Sequence, residues 1–423
     1  MNVLRSLYLY PMRKLEKRDY DAVVIGSGPN GLSAAITLQQ AGLSVAILEG
    51  KDTIGGGLRT KELTLPGFRH DVCSAIHPLA IASPFFQMLP LADHGLQYLF
   101  PTFAAAHPLD NGEVVIVDSS VENTSRFLGK DQHSYTRWMN ALVSHVDLAL
   151  GDILGPLSIP SHPIAMSAFG LKALQPANFF SSRYFHDAKS KAMWAGMAAH
   201  SMLPLNYPAT AAIGLVLLAS AHSKGWPIPK GGSQAIATAL ASYFLSIGGK
   251  IELNRHITAM SQLPSSHAVL FDTSPRQMLA IAGHKFSSFY RWQLNRYKYG
   301  MGVFKMDWAL STPIPFKSPE ARMAGTVHVG GTAAEINISE QSAWRGTHVE
   351  KPFVLVAQPS VFDSTRCPDG KHVAWAYCHV PSGSIRDMTS AIENQIERFA
   401  PGFRDAIIGR SVMNANDMEQ YNP

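Results

Sequence analysis

The chain has 423 residues, of which 46% are hydrophobic and 16% charged, and its formal net charge is +5. This length suits two domains, and the composition excludes a disordered or collagen-like chain. Three cysteines without a CxxC pair argue against a disulfide framework, dithiol chemistry and a thiolate zinc cluster, and they indicate a reducing compartment.

Much of the positive charge lies in the first 18 residues, which carry Arg5, Arg13, Lys14, Lys17 and Arg18 against Glu16. The rest of the chain is nearly neutral without a basic stripe, so we expect no nucleic-acid partner. We favour an unstructured leader (residues 1–18) and a cytoplasmic protein. A basic, acid-poor N-terminus is also typical of organelle-targeting peptides, so the mitochondrial matrix stays open as the alternative.

The stretch Ala192–Ser223 contains no charged residue. Its clean apolar part, Ala209–Ala221, is shorter than the ~18 residues that a membrane span needs. We therefore expect a helix buried in a large core. Peripheral contact of this stretch with a membrane is the alternative.

A strand, a glycine-rich loop and a helix follow one another near the N-terminus. Ala22–Ile25 is an apolar run typical of a buried parallel strand, and the sequence GSGPNG follows it. The pattern then becomes helical over Leu32–Gln40, with Gly42 placed to end the helix. A second apolar strand, Val45–Leu48, ends in Glu49. This order and spacing predict a dinucleotide-binding βαβ unit.

Each glycine of the loop has a predicted role. Gly26 permits the tight turn, Gly28 lets a pyrophosphate approach the backbone, and Gly31 lets the helix pack near the strand. The helix N-terminus faces the phosphates, and Glu49 accepts hydrogen bonds from an adenosine ribose with a free 2′-hydroxyl. A tight turn beside a surface glutamate is the alternative. The residues predicted to bind the cofactor here are Gly26, Ser27, Gly28, Pro29, Asn30, Gly31, Glu49 and Gly50.

A second glycine cluster, Gly55-Gly56-Gly57, follows shortly after Glu49. It indicates that the backbone passes close to the same ligand again, which favours FAD over NAD. We predict that Gly56 and Gly57 contact the cofactor and that Arg59 faces a phosphate oxygen. A solvated loop arginine is nearly as good an interpretation of Arg59.

These residues, with LPGFRHD after them, resemble the FAD-dependent phytoene desaturase and amine oxidase superfamily. The segments YGMGVFKMDWALSTPIP, KPFVLVAQPSVFD and IERFAPGFRD resemble its carotenoid and retinoid oxidoreductase branch. Within that branch the chain is most similar to the subgroup of pyridine nucleotide-disulfide oxidoreductase domain-containing protein 2. The resemblance covers residues 20–423, and nothing in it resembles a redox-active dithiol.

The resemblance implies an α/β fold, in which a discontinuous Rossmann-type FAD-binding domain interleaves with an α+β substrate domain containing an antiparallel sheet. The backbone around Ile257 would then face the adenine, although an ordinary core isoleucine is the alternative. Alternation over Val303–Trp308 indicates a half-buried strand of that sheet. The expected segments are the leader, FAD-binding parts at 19–84 and 225–290, and substrate-domain parts at 85–224 and 291–423.

The chain departs from this family in two places. Many relatives have arginine where this chain has Gly57, and they continue past EQYNP into a segment that covers the flavin ring. We therefore expect a truncated chain that lacks the third FAD-binding part. Because a cofactor wall is then missing, we expect weak or absent flavin binding.

The function expected from these observations is an FAD-dependent oxidoreductase of the dehydrogenase or desaturase type, which passes hydride from a small, hydrophobic substrate to the flavin. The alternatives are a non-catalytic or regulatory protein, including an inactive fragment, and an NAD dehydrogenase. No metal site is expected, and no catalytic residue is assigned. His77, His328 and His379 are candidate polar contacts in the substrate cavity, although core or surface histidines are the favoured interpretation. The oligomeric state is left open.

Overall fold

The computed structural model describes residues 18–155, 159–160 and 162–422. The predicted leader lies outside this part of the chain except for Arg18. The described residues form two compact units. Unit 1 contains the residues up to Ile54 together with Ala241–Asn295, and unit 2 contains Gly55–Leu240 together with the residues from Arg296 onward. The domain boundaries expected from the sequence stay predictions.

The strands, numbered in chain order, are β1 (Tyr20–Ile25), β2 (Val45–Leu48), β3 (Thr60–Glu62), β4 (Arg69–Asp71), β5 (Tyr98–Leu99), β6 (Phe103–Pro108), β7 (Val114–Val117), β8 (Ile228–Pro229), β9 (Lys250–Glu252), β10 (Ser266–Phe271), β11 (Gly302–Leu310), β12 (Ala324–Val329), β13 (Val354–Ala357), β14 (His372–Val380) and β15 (Ile407–Met413).

The α-helices are α1 (Pro29–Gln40), α2 (Pro78–Ala82), α3 (Pro84–Gln87), α4 (Val121–Ser125), α5 (Gln132–Val143), α6 (Val146–Leu154), α7 (Pro163–Ala173), α8 (Ala177–Tyr184), α9 (Ala188–Ala199), α10 (Thr210–Ser223), α11 (Gln234–Ser246), α12 (Pro275–Ala282), α13 (Ser288–Asn295), α14 (Pro319–Arg322), α15 (Ala333–Trp344), α16 (Thr389–Phe399) and α17 (Ala415–Tyr421).

Unit 1 is built on a four-stranded parallel sheet with the order β10-β1-β2-β9. In the central strand β1, Val23 and Val24 are fully buried, so both faces of the strand are covered, as a parallel sheet requires. Helix α1 connects β1 to β2 and ends before Gly42, which has a φ of 85°. This βαβ arrangement confirms the predicted Rossmann-type α/β fold.

Unit 2 is built on a seven-stranded sheet with the order β15-β11-β14-β13-β12-β6-β7. Its neighbouring strands are antiparallel except for β12 and β6, which are parallel. The long pair β11 and β14 runs in register from Gly302 opposite Val380 to Leu310 opposite His372. The predicted antiparallel sheet is therefore confirmed.

The prediction that Val303–Trp308 is half-buried is wrong, because layers cover both faces of β11. On one face, Met306 and Trp308 belong to an apolar core with residues of α16. On the other face, Lys305 and Asp307 are only 2% and 1% exposed. The residue types do alternate along β11. One face of the strand lies in the apolar core, and the other face lies against a buried polar cluster instead of solvent.

The uncharged stretch after Ala192 forms most of α9 and all of α10, and it lies in the core of unit 2, as the favoured interpretation predicted. Trp194 is 1% exposed and stacks on Phe180 with ring centroids 4.3 Å apart. Leu215 and Leu218 on α10 are fully buried. In the part of the chain that is described, none of the helices has the length and apolar character needed to cross a membrane.

Candidate functional site

The loop between β1 and α1 is closely packed against its surroundings. Gly26 has a φ of 101°, a conformation that favours glycine. A Cβ atom on Gly31 would lie 2.3 Å from the carbonyl oxygen of Gly26. Gly26 thus forms the predicted tight turn, and the absence of a side chain at Gly31 allows the predicted close approach of the helix to the strand.

Asp272, which the sequence analysis missed, closes the loop from the neighbouring strand β10. Its Oδ2 accepts a hydrogen bond from the Gly31 N–H at 2.9 Å, and a Cβ on Gly28 would lie 2.7 Å from the same oxygen. Burial raises the pKa of Asp272, and the charge of Glu49 raises it further. The only sequence signal for this residue is its place directly after an apolar strand.

Glu49 lies against the loop, at the end of β2. Its Oε2 accepts hydrogen bonds from the Ser27 N–H at 3.0 Å and the Ser27 hydroxyl at 2.5 Å. Its Oε1 accepts one from the Lys51 N–H at 2.9 Å, and the side chain is 6% exposed. The carboxylate therefore sits beside the glycine loop, and its hydrogen bonding to a ribose stays a prediction.

The N-terminus of α1 opens from this loop. Gly28 is the N-cap residue without a side-chain cap, and Pro29 occupies the first helical position, where its missing N–H costs nothing. Asn30 is exposed. The first turn of α1 contains no acidic residue of its own, but the Asp272 carboxylate lies against it and accepts from the Gly31 N–H, so an anion bound here shares this N-terminus with Asp272.

Two further residues predicted to lie near the cofactor are Gly50, which follows β2, and Ile257, which follows β9 in the sequence. A Cβ on Gly50 would approach His256 Nδ1 to 3.3 Å. Ile257 is 8% exposed and packs in the apolar core of unit 1 with Val23 and Leu48. Its side chain is thus a core isoleucine, and the adenine contact of the nearby backbone stays a prediction.

The second glycine cluster belongs to unit 2. Gly56 and Gly57 lie in a short 3-10 helix, which Gly55 enters with a φ of 115°. Arg59 is 2% exposed, and its Nη1 donates to the Gly56 carbonyl oxygen at 3.3 Å. Its guanidinium also lies 5.7 Å from the centre of the Tyr421 ring. The alternative of a solvated loop arginine is therefore wrong.

Unit 2 contains a cavity of about 430 Å³, within the range of small-molecule sites. Its wall is mostly apolar and aromatic with a few polar groups. The lining residues are Cys73, Ser74, Ile76, His77, Pro78, Leu79, Ala80, His200, Met202, Leu217, Trp226, Val303, Lys305, Thr326, Leu355, Trp375, Tyr377 and Met418.

Of the three histidines considered from the sequence, His77 lines this cavity, whereas His328 and His379 are buried outside its lining. The Nε2 of His77 lies 2.7 Å from the Ser233 hydroxyl, and burial lowers the pKa of His77 to about 4. His200, which the sequence did not single out, also lines the cavity. Its Nε2 lies 3.0 Å from the Nε2 of His328, so one ring donates and the other accepts.

Lys305 brings a positive charge to the cavity wall, and its ammonium donates to the carboxylate of Asp307. Burial raises the pKa of Asp307 to about 6. The Nδ1 of His70 lies 3.5 Å from Asp307 Oδ1, and burial together with the nearby cations lowers the pKa of His70 to about 3.

A second buried pair joins Asp71 and Arg366, whose side chains are fully buried. The Oδ2 of Asp71 accepts from Arg366 at 2.6 Å, and its Oδ1 accepts from the Ser233 N–H and the Thr60 hydroxyl, each at 2.7 Å. Burial alone would raise the pKa of Asp71, but the guanidinium and these donors together lower it. Asp71 thus remains an anion inside the protein.

Metal and thiol chemistry have little support in the residues that the structure describes. There, no group of three or more histidine, cysteine or acidic side chains is arranged to hold a metal ion. Cys73, Cys367 and Cys378 are free thiols. Burial raises the pKa of the Cys73 thiol, which lines the cavity, so the reactive thiolate is disfavoured.

Comparison with known proteins agrees with this geometry. Residues 24–89 match the family described as the NAD(P)-binding Rossmann-like domain. The chain is 24% identical to rat pyridine nucleotide-disulfide oxidoreductase domain-containing protein 2, in an alignment that covers 96% of this chain and 83% of that protein. The chain is a homologue of that protein. This homology confirms the resemblance to the subgroup of that protein noted in the sequence. The resemblance to phytoene desaturases stays a prediction.

Several solved structures are similar to this chain in fold. Cyclohexylamine oxidase from Brevibacterium oxydans matches with a TM-score of 0.57 and 14% identity, over 96% of this chain and 86% of that chain. Rab GDI from Plasmodium falciparum matches with a TM-score of 0.56 and 11% identity, over 93% and 89%. The chain therefore shares its fold with a protein named as an oxidase and with a protein not named as an enzyme.

Replacing Gly31 with alanine places a methyl group against the Gly26 carbonyl oxygen and is expected to destabilise the protein by about 2 kcal/mol or more. Gly283→Ala is the matched control, because its Cβ would meet only Leu279 Cδ2 at 3.7 Å. Urea unfolding measures both variants. Equal stability of G31A and G283A would contradict the close packing of the loop.

Asp71→Ala leaves the Arg366 guanidinium buried without its carboxylate, and we expect a loss of about 3–5 kcal/mol in unfolding free energy. Glu350→Ala breaks an ion pair with Arg386 in which both side chains are more than half exposed, so no measurable loss is expected. Denaturant titration of the two variants tests this difference. A stable D71A protein would show that the buried pair is not required.

Acid should destabilise the protein through its buried histidines. Burial lowers the pKa of His77 and His107 to about 4, whereas an unfolded histidine titrates near 6.5. Between these values only the unfolded chain binds the proton, so the unfolding free energy falls as pH decreases, by about 1.4 kcal/mol per pH unit for each histidine. Below about pH 4 this contribution stops changing.

The slope of the unfolding free energy between pH 6.5 and 5 measures this effect. His107→Gln should reduce the slope by about one proton, because it removes one of the buried groups. The exposed His267, replaced with glutamine, serves as the control and should leave the slope unchanged. An unchanged slope in H107Q would contradict the assignment of a neutral, buried imidazole.

Proposed function

We propose that this chain is an FAD-dependent oxidoreductase that transfers hydride from a small apolar substrate to the flavin. The observation that carries the proposal is the glycine loop at the end of β1, with the Glu49 carboxylate held beside it at 3.0 Å from the Ser27 nitrogen. A Rossmann unit with an acid at the end of its second strand is the arrangement that binds the adenosine diphosphate part of a dinucleotide.

The choice of FAD over NAD rests on the second glycine cluster and on the structural likeness to an amine oxidase. The matching family description covers NAD(P) as well, so an NAD dehydrogenase is the competing interpretation. Two features suit the diphosphate of a dinucleotide: the N-cap residue Gly28 has no side chain, and Asn30 is accessible, while Asp272 already accepts from the Gly31 N–H. In this proposal, the loop and α1 hold the diphosphate and Glu49 holds the ribose.

When bound, a flavin supplies the hydride acceptor. The apolar wall of the unit 2 cavity, which includes Trp226 and Trp375, excludes water and favours an apolar substrate. His77 is neutral at pH 7 because burial lowers its pKa to about 4, so its imidazole can take part in a hydrogen bond with a substrate. The ammonium of Lys305 stays beside Asp307 and keeps this wall of the cavity polar.

A non-catalytic binding protein is the second candidate, and the likeness to Rab GDI favours it. The same fold carries unrelated functions, so fold alone does not establish turnover. Cofactor binding and its reduction by substrate separate the two candidates.

Fluorescence titration of the full chain with FAD and with NAD is the direct test, because it also detects weak binding. We expect FAD to bind more tightly than NAD, and Glu49→Gln to raise the Kd for FAD about tenfold, since the neutral amide accepts hydrogen bonds from the ribose less well. Glu252→Gln, at the end of the neighbouring strand β9, is the control and should leave the Kd unchanged.

Two outcomes would contradict the proposal. Tighter binding of NAD than of FAD would favour the dehydrogenase alternative. FAD binding without anaerobic bleaching of the flavin by any member of a panel of apolar amines, alcohols and alkenes would favour the non-catalytic candidate.

A further inference from the structure

Unit 1 carries an exposed aromatic and basic surface on α13 and the turn before it. No acidic residue lies between Asp272 and Asp307 in the sequence. We define the α13 surface by its exposed members, which are Lys285, Phe289, Tyr290, Arg291 and Trp292.

The rings of this surface are on the outside of the protein. Phe289 is 65% exposed and Trp292 is 53% exposed. They lie three residues apart on the helix and stack on one another, with ring centroids 5.9 Å apart and planes inclined by 21°. Tyr290, 42% exposed, instead packs against Phe286. The helix thus has one aromatic ring packed against the turn that precedes it and two others on its exposed surface.

Cations accompany these rings. Arg291 lies between Phe289 and Trp292, and Lys285 precedes the helix; both are exposed. Neither forms an ion pair with another of the residues that the structure describes. The surface therefore combines a positive potential with apolar rings, and a partner that suits both must be anionic and must accept aromatic side chains.

We propose that the α13 surface binds an anionic phospholipid membrane. Tryptophan, tyrosine and phenylalanine rings insert at the level of the lipid headgroups, while lysine and arginine are attracted to anionic lipids. A nucleic acid fits less well, because the two cations of the surface lie on one short helix and the turn before it and do not form a stripe along which phosphates could bind. This inference is independent of the proposed cofactor and reaction.

Vesicle flotation of the full chain tests the proposal, with phosphatidylcholine vesicles and with vesicles of phosphatidylcholine and phosphatidylglycerol. We expect binding to the anionic vesicles at low salt, little binding to phosphatidylcholine alone, and weaker binding as salt increases. Phe289→Ser combined with Arg291→Glu should weaken binding to anionic vesicles about tenfold. These side chains are exposed, so circular dichroism should show an unchanged fold.

A matched control lies on α8, where Phe179 is 53% exposed and Arg183 is exposed. F179S/R183E removes one ring and reverses one charge in the same way and should bind vesicles as the unaltered chain does. The proposal is overturned if the unaltered chain does not float with anionic vesicles at low salt. It is equally overturned if F289S/R291E still binds, or if F179S/R183E loses binding to the same extent.

Lys285→Glu, a milder change, should weaken binding at low salt, and its failure to do so would also count against the proposal.

Discussion

The close approach of α1 to the end of β1 is the constraint on which the candidate cofactor site depends. It requires that Gly31 has no side chain, because a Cβ there would meet the Gly26 carbonyl oxygen at 2.3 Å. The Gly31 N–H is then satisfied by the carboxylate of Asp272, and the Ser27 N–H by that of Glu49. Two carboxylates, one from each of the strands that flank β1, thus fix the loop.

Unit 2 contains charged side chains that are buried inside the protein. Asp71 and Arg366 pair with each other, and Lys305 pairs with Asp307. Burying a charge without a partner costs far more than burying a pair, so these residues depend on one another. Because Lys305 also lines the cavity, this network gives one wall of an otherwise apolar site a defined polar character.

The fold is compatible with more than one function, since it is similar both to an amine oxidase and to Rab GDI. In the proposed function, two local features carry the chemistry: the Glu49 carboxylate beside the glycine loop, and the neutral imidazole of His77 at the cavity wall. The exposed rings of α13 add a feature that neither of these sites needs, which is the reason to assign them to a separate partner.

The sequence alone determined the βαβ unit, the second strand at Val45–Leu48 and the place of Glu49 beside the loop, because apolar runs and glycine positions act over a few residues. Only the tertiary structure decided the role of Asp272, which bonds to Gly31 across 241 positions of the chain. It also decided that Lys305 is buried. Alternating residue types along a strand distinguish its two faces, but they do not reveal which layers cover those faces. Contacts of this kind join residues that are distant in sequence, and no local pattern records them.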